Sequence, residues 1–277
     1  MDTTLDAAFQ QAAERDHVAL IYRTQREQFT AVVPFLRTGL ERGEQFVYIA
    51  NENRPDTVLD ALRTDGLDVD ALRKSGALHV VTDRDAYLRT GRFEPEGMIE
   101  FIENASKRAI EAGYTGLRAT GEMSWALSDA PGVESLMVYE RKLDQRYRDM
   151  AFTALCQYNA NRFPADTVDQ VSRAHPRLIV DGVLRESAGY VPSPTGLDWP
   201  TEAFAALLTP YIDGELPEST TAEVARRIEA DAELRRRYES ELAVKRTLGA
   251  QARRYTTPPG LVREIKEAIF GPHDAER

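Results

Sequence analysis

The chain has 277 residues, of which 42% are hydrophobic and 29% charged, and its formal net charge is −10. This acidity argues against a protein whose whole surface binds nucleic acid. The sequence contains no run of about 18 apolar residues that could span a bilayer, and its N-terminus lacks the basic start of a secretory signal. We therefore expect a cytoplasmic protein with no membrane partner, built from one large domain and a smaller one.

Short β-rich runs alternate with helical patterns between His17 and Pro192. The predicted strands are HVALIYR, QFVYIANE, LHVVTD, LRATGEM, FTALCQYN and RLIVDG. Most of the segments between them carry apolar residues at helical spacing. This alternation predicts a doubly wound α/β fold, with a mostly parallel sheet that is covered by helices on both faces.

A proline-rich break, SAGYVPSPTGLDWPTE, ends this rhythm, and the pattern after it is helical only. We predict an α/β domain over residues 1–192, a linker over 193–200 and a small all-α C-terminal domain over 201–277. Because the helical segment is too short to form a large core of its own, we expect it to pack on the α/β domain or on a partner.

Polar and aromatic side chains crowd the predicted strand ends. In a doubly wound sheet, ligands bind outside the carboxyl ends of the strands, so this edge is the predicted pocket. In this interpretation Trp125 and Tyr158 form an aromatic wall; in the alternative, Trp125 only covers the sheet edge. The predicted ligand-binding residues are Tyr22, Asn51, Glu52, Glu122, Ser124, Trp125, Gln157 and Tyr158.

The sequence lacks the usual catalytic motifs. The first strand is followed by RTQREQF, without the glycines and lysine of a phosphate-binding loop, and G-x-G-x-x-G does not occur. The four histidines show no metal-ligand spacing, and Cys156 is predicted to be a small core residue. We therefore expect no metal, no cofactor and no catalytic residue. The alternative is an enzyme that acts on a small organic molecule at the same edge, with Glu122 as acid/base.

Several blocks of the α/β region resemble one family, in that family's order. They include HVALIYRTQREQF, GYTGLRATGEMSWAL, ALCQYNANRF and HPRLIVDGVLRE, and the resemblance extends from about Asp16 to Pro192. The family is the MEDS, or DcmR-type sensory, domain. The resemblance implies a fold similar to that of RecA/KaiC-type ATPases without their phosphate loop, and a module that senses small organic compounds.

The tail LLTPYIDGELPESTTAEVARRIEADAELRRRYESELAVKRTL resembles the sigma-binding domain of anti-sigma factors, with a YIDGEL turn followed by a pair of helices. Many members of that family hold zinc through one histidine and two cysteines. RRIEADAELRRRY contains none of these ligands, so the resemblance implies a zinc-free version that relies on apolar packing or on its partner. The predicted partner-binding residues are Leu234, Arg235, Tyr238, Leu242 and Leu248.

These observations predict a signalling regulator in which a MEDS-like domain senses a small organic ligand and controls an anti-sigma-like tail that binds a sigma factor. Ligand binding would occlude or release the apolar stripe of the tail. A scaffold whose basic helix binds DNA is a third alternative, which the overall acidity disfavours.

Overall fold

The computed structural model describes residues 3–12, 15–192, 204–216 and 218–251. The predicted linker over 193–200 and the last part of the predicted all-α domain, residues 252–277, lie outside the described residues. In the described part of the chain, seven strands form one sheet in the order β3-β2-β4-β5-β1-β6-β7. The strands are β1 His17–Tyr22, β2 Gln45–Ala50, β3 Leu78–Thr82, β4 Leu117–Glu122, β5 Phe152–Asn159, β6 Arg177–Val180 and β7 Val183–Glu186.

All neighbouring strands are parallel except β6 and β7, which form an antiparallel hairpin at the edge. Helices cover both faces, as a parallel sheet requires. The predicted α/β class with a mostly parallel sheet is confirmed. The helices of this region are α1 Thr3–Gln11, α2 Gln25–Glu41, α3 Pro55–Thr64, α4 Val69–Lys74, α5 Pro95–Glu111, α6 Leu136–Arg146 and α7 Ala165–Ala174.

Alternate residues of each strand contribute to two separate cores. In β1, Val18 and Leu20 pack with α1 to α4, whereas Ala19 and Ile21 pack with α5 to α7. We call these sides the α2 face and the α5 face. The distinction decides which predicted site residues can meet, because consecutive residues of one strand point to opposite faces.

The described part of the tail is helical, with α8 Leu208–Asp213, α9 Glu218–Ala230 and α10 Ala232–Gln251. Its apolar residues form a third core together with Val138 of α6. The chain divides into two compact units, Met1–Tyr238 and Glu239–Arg277, so α8 and α9 belong to the same unit as the sheet. Within the described residues, no helix is both long and apolar enough to cross a membrane.

Candidate functional site

Glu122, at the end of β4, is fully buried and accepts four short hydrogen bonds. Its Oε1 accepts from Tyr48 Oη at 2.6 Å and from Asn53 Nδ2 at 2.7 Å. Its Oε2 accepts from the backbone N–H groups of Asn51 and Asn53, both at 2.9 Å. Because a carboxylate offers about four lone-pair sites, this one is saturated. Glu122 therefore fixes the loop that follows β2 and does not provide a free acid or base.

A buried polar network continues from Glu122 across the α2 face. Gln28 of α2 donates to Gln157 Oε1 at 2.7 Å, and Gln157 donates to Thr120 Oγ1 at 2.8 Å. Burial raises the pKa of Tyr48, and the Glu122 charge beside it raises the pKa further. Glu122, Gln157 and the loop at Asn51 thus belong to one satisfied network, which fixes three strand ends relative to one another.

Glu52 connects the outer part of the same edge. Its carboxylate accepts from Ser124 Oγ, from Asn159 Nδ2 at 3.0 Å and from Arg162 Nη1 at 3.0 Å. Tyr22 is buried nearby, and its hydroxyl has no hydrogen-bond partner among the described residues. Burial raises the pKa of Tyr22, and the charge of Glu52 adds to this effect. The structure therefore brings six of the predicted ligand-binding residues together at the strand ends: Tyr22, Asn51, Glu52, Glu122, Ser124 and Gln157.

The other two, Trp125 and Tyr158, lie on the α5 face and are buried in its core. Tyr158 follows Gln157 in the strand, so its side chain points to the opposite side of the sheet. Trp125 stacks on Tyr87, with 4.7 Å between ring centroids. These two aromatic side chains do not form a wall beside Glu122, and Trp125 instead belongs to a packed aromatic cluster.

A cavity of about 260 Å³ lies on the α5 face between the sheet and α5. Its wall is mostly apolar, and none of the eight predicted ligand-binding residues lines it. Its floor includes Ala119 of β4 and Ala154 of β5, two small residues that pair across the strands, whereas Tyr87 occupies the position next to Gly121. Larger residues around it include Val47, Ile49, Met98, Phe101, Ile102 and Tyr139. Because these two alanines belong to different strands, spacing along one segment of the sequence does not indicate the cavity.

Four titratable side chains converge in the core of the α5 face: His17 of β1, Glu140 of α6, Cys156 of β5, and His175 just after α7. One ligand atom from each lies within 4.8 Å of the others, and all four residues are buried. Sequence spacing does not indicate this cluster, because its members are far apart in the chain. Among the described residues, these four side chains form the cluster that could hold a metal ion.

The cluster perturbs the acidity of its members. Burial opposes ionisation of Glu140, but the charge of His175 and the hydrogen bond of His17 outweigh it and hold the pKa of this carboxyl below its ordinary value. Burial lowers the pKa of His175, and the charge of His17 lowers it further. Burial raises the pKa of the Cys156 thiol to about 12. The neighbouring histidines therefore favour the ionised form of Glu140, whereas burial disfavours the charged form of His175.

The mostly parallel sheet, the saturated polar network at its strand ends and the apolar cavity define the α/β domain of this chain. The profile described as MEthanogen/methylotroph, DcmR Sensory domain matches residues 16–176, more than half of the chain. The chain belongs to this MEDS family, as the sequence blocks predicted.

Two known proteins provide further comparison. The transcriptional repressor DcmR of Methylorubrum extorquens is 27% identical over 167 residues, which cover 59% of the chain and 59% of the repressor. The chain thus matches less than two thirds of this relative's length. The KaiC-like protein from Pyrococcus horikoshii OT3 is 17% identical, with a TM-score of 0.43 over 59% of the chain and 69% of that protein. The family is described as sensory, which agrees with the sensory domain that the sequence predicted.

Proposed function

We propose that the α5-face cavity binds a small apolar organic molecule and that its occupancy controls whether the helical tail can bind a sigma factor. The observation that carries this proposal is the position of α6. This helix contributes Tyr139 to the cavity wall and Val138 to the core that holds the tail. A ligand that displaces α6 therefore acts on both sites.

The size and lining of the cavity support an apolar ligand. An apolar cavity of roughly 150 Å³ is large enough to bind benzene, and this one measures about 260 Å³. Burial of apolar area drives such binding, at about 25 cal/mol per Å². Gln45, His79 and Arg108 are polar side chains in the same wall, which favours a molecule with one polar end.

Ion pairs reinforce the contact between α6 and the tail. Lys142 Nζ lies 2.8 Å from Glu223 Oε2 of α9 and 2.5 Å from Glu96 Oε1 of α5. Lys142 is four residues after Val138, so both side chains lie on one side of α6. Lys142 of α6 thus forms ion pairs both with α5, which is part of the cavity wall, and with α9 of the tail.

The tail residues that we predict to contact a sigma factor are partly occupied within the chain. Leu234 is fully buried in the core shared with α6, and Tyr238 packs edge-on against Tyr211 with 5.8 Å between ring centroids. Arg235 donates to the carbonyl groups of Ile228 and Glu229. Leu242 is half-buried, and the side chain of Leu248 lies outside the described residues.

This arrangement supports an occluded state of the tail. A sigma factor that needs Leu234 competes with α6 for it. A ligand shifts that competition only if it binds the docked and released arrangements with different affinity. The sigma partner itself follows from the tail's resemblance to anti-sigma factors, and the arginines at 235–237 would meet an acidic surface and steer the encounter.

Capture of sigma factors from the source genome by the full chain tests this proposal. We expect Lys142→Ala to increase capture, because it removes the ion pair to α9, and Leu242→Asp to abolish capture. Matched controls are Lys107→Ala on the exposed side of α5 and Val244→Asp, which is 57% exposed on α10. Two results would refute sigma binding through this stripe. In the first, Leu242→Asp leaves capture unchanged; in the second, neither the wild type nor any variant captures a sigma factor.

A further inference from the structure

We propose that His17, Glu140, Cys156 and His175 bind one divalent transition-metal ion, zinc foremost, inside the α5 face. This site is separate from the strand-end network of Glu122 and does not depend on the ligand or the sigma factor proposed above. It links the sheet, through β1 and β5, to α6 and to the end of α7.

The separations between the ligand atoms are close to those of a tetrahedral zinc site. His17 Nε2 lies 3.1 Å from Glu140 Oε2 and 3.7 Å from Cys156 Sγ. Cys156 Sγ lies 3.7 Å from Glu140 Oε2, and His175 Nε2 lies 3.4 Å from the same oxygen. Zinc bonds of about 2.0–2.3 Å to nitrogen, oxygen and sulfur imply ligand-to-ligand edges of about 3.3–3.7 Å. Three of these four edges already have this length, the His17–Glu140 edge is slightly shorter, and the remaining two, of at most 4.8 Å, need a contraction of up to about 1.5 Å.

The orientation of His175 gives a second, independent reason for a cation. Its Nδ1 lies 2.8 Å from the carbonyl oxygen of Val171, which only accepts hydrogen bonds, so Nδ1 carries the hydrogen. The other ring nitrogen, Nε2, faces Glu140 Oε2 at 3.4 Å. This nitrogen is fully buried and has no hydrogen-bond partner among the described residues. A metal ion bound by both of these atoms would satisfy the buried nitrogen and the carboxylate oxygen together.

Outer contacts orient the ligands as they do in known metal sites. Tyr158 donates its hydroxyl hydrogen to Glu140 Oε1, which leaves Oε2 for the metal. Val171 fixes the ring of His175. The carboxylate of Asp144 lies 3.9 Å from His17 Nδ1, on the side of that ring that faces away from the cluster. Glu140 and His175 therefore have hydrogen-bonded orienting partners, whereas His17 Nδ1 has no hydrogen bond among the described residues and lies beside the Asp144 carboxylate only at this longer distance.

The donor set selects the class of metal. One thiolate and two imidazoles prefer zinc or another late first-row ion, whereas magnesium and calcium prefer oxygen ligands alone. A bound divalent ion displaces the thiol proton and compensates the buried thiolate and carboxylate, which are costly to bury without a cation. Because the protein supplies all four ligands and the site is buried, the ion serves structure or regulation and leaves no open position for catalysis.

Cobalt is the probe that tests this site, since it enters tetrahedral zinc sites and its absorption reports on the ligands. The full chain is expressed in minimal medium with Co²⁺ as the added transition metal, so that a buried site is loaded during folding. We expect one cobalt per chain, visible absorption from the tetrahedral ion and a near-ultraviolet band from the thiolate. Loss of the near-ultraviolet band in Cys156→Ser, with retention of visible absorption, would identify Cys156 as a ligand.

A matched pair of histidine variants completes the test. His175→Gln should lower cobalt content by at least about tenfold, whereas His79→Gln, on an exposed histidine of β3, should leave it unchanged. Purified wild-type protein with its normal circular dichroism but without cobalt absorption would overturn the proposal. Equal cobalt content in the two histidine variants would also overturn it. Neither result depends on sigma capture or on cavity binding, so this proposal and the proposed function can fail separately.

Discussion

Val138→Ala tests the contact through which α6 holds the tail. Val138 is 1% exposed and is the α6 residue in the core formed with α8, α9 and α10. The substitution removes two buried carbons, each worth about 0.8 kcal/mol, and leaves the tail sequence unaltered. Docking of the tail should therefore weaken by about 1.5 kcal/mol, or about tenfold in the docking equilibrium.

Amide hydrogen exchange measures this change segment by segment. If α9 exchanges through transient undocking, its amides should exchange about tenfold faster in Val138→Ala, while the amides of the central strands keep their rates. Val183→Ala on β7, where the side chain is 52% exposed, is the matched control and should change neither segment. Unchanged exchange in α9 with a normally folded sheet would show that Val138 does not hold the tail, and would refute coupling through α6.

Two further predictions concern the sheet. Ala119→Leu places three extra carbons in the cavity wall. We therefore expect benzene to raise the melting temperature of the wild type but not that of this variant. An equal rise in both proteins would show that benzene binds elsewhere. Glu122→Gln replaces one acceptor oxygen of the network with an NH₂ group. In one orientation this donor faces the backbone N–H groups of Asn51 and Asn53. In the other orientation it faces the side chains of Tyr48 and Asn53. Urea unfolding should show a loss of about 1–3 kcal/mol, against less than about 0.5 kcal/mol for the exposed control Glu100→Gln; equal stability of both variants would mean that the network contributes nothing.

Short β-rich runs predicted the sheet well because most of its strands are buried on both faces and so read as continuous apolar segments. The run FTALCQYN coincides with β5, and the other predicted strands differ from the observed ones by one or two residues at an end. The edge hairpin was missed because β7 is mostly exposed and carries no apolar alternation. Its turn did carry a signal, since Asp181 and Gly182 both have positive φ angles of 51° and 74°, as an Asp-Gly hairpin turn requires.

The candidate sites depend on which face each strand residue occupies, and that limits what sequence reasoning can find. The strand-end prediction grouped Gln157 with Tyr158, although neighbouring residues of β5 point to opposite faces. The cavity depends on small residues of different elements lying opposite one another, which spacing along one segment does not show. His17 and Cys156 are 139 residues apart in sequence, and only the pairing of β1 with β5 brings them together.

Helix α6 contains a buried charged residue, Glu140, next to buried apolar residues, because its sides contact different parts of the molecule. Successive residues of a helix are turned by about 100°, so Val138, Tyr139 and Glu140 face three different environments. In the structure these are the tail core, the cavity wall and the histidine–cysteine cluster. A helix that served only as a cover for the sheet would need one apolar stripe. Burial of Glu140 is costly without a counter-charge, so its place in α6 requires the cluster. In the function proposed above, a ligand that displaces α6 would therefore act on the cluster and on the tail contact together.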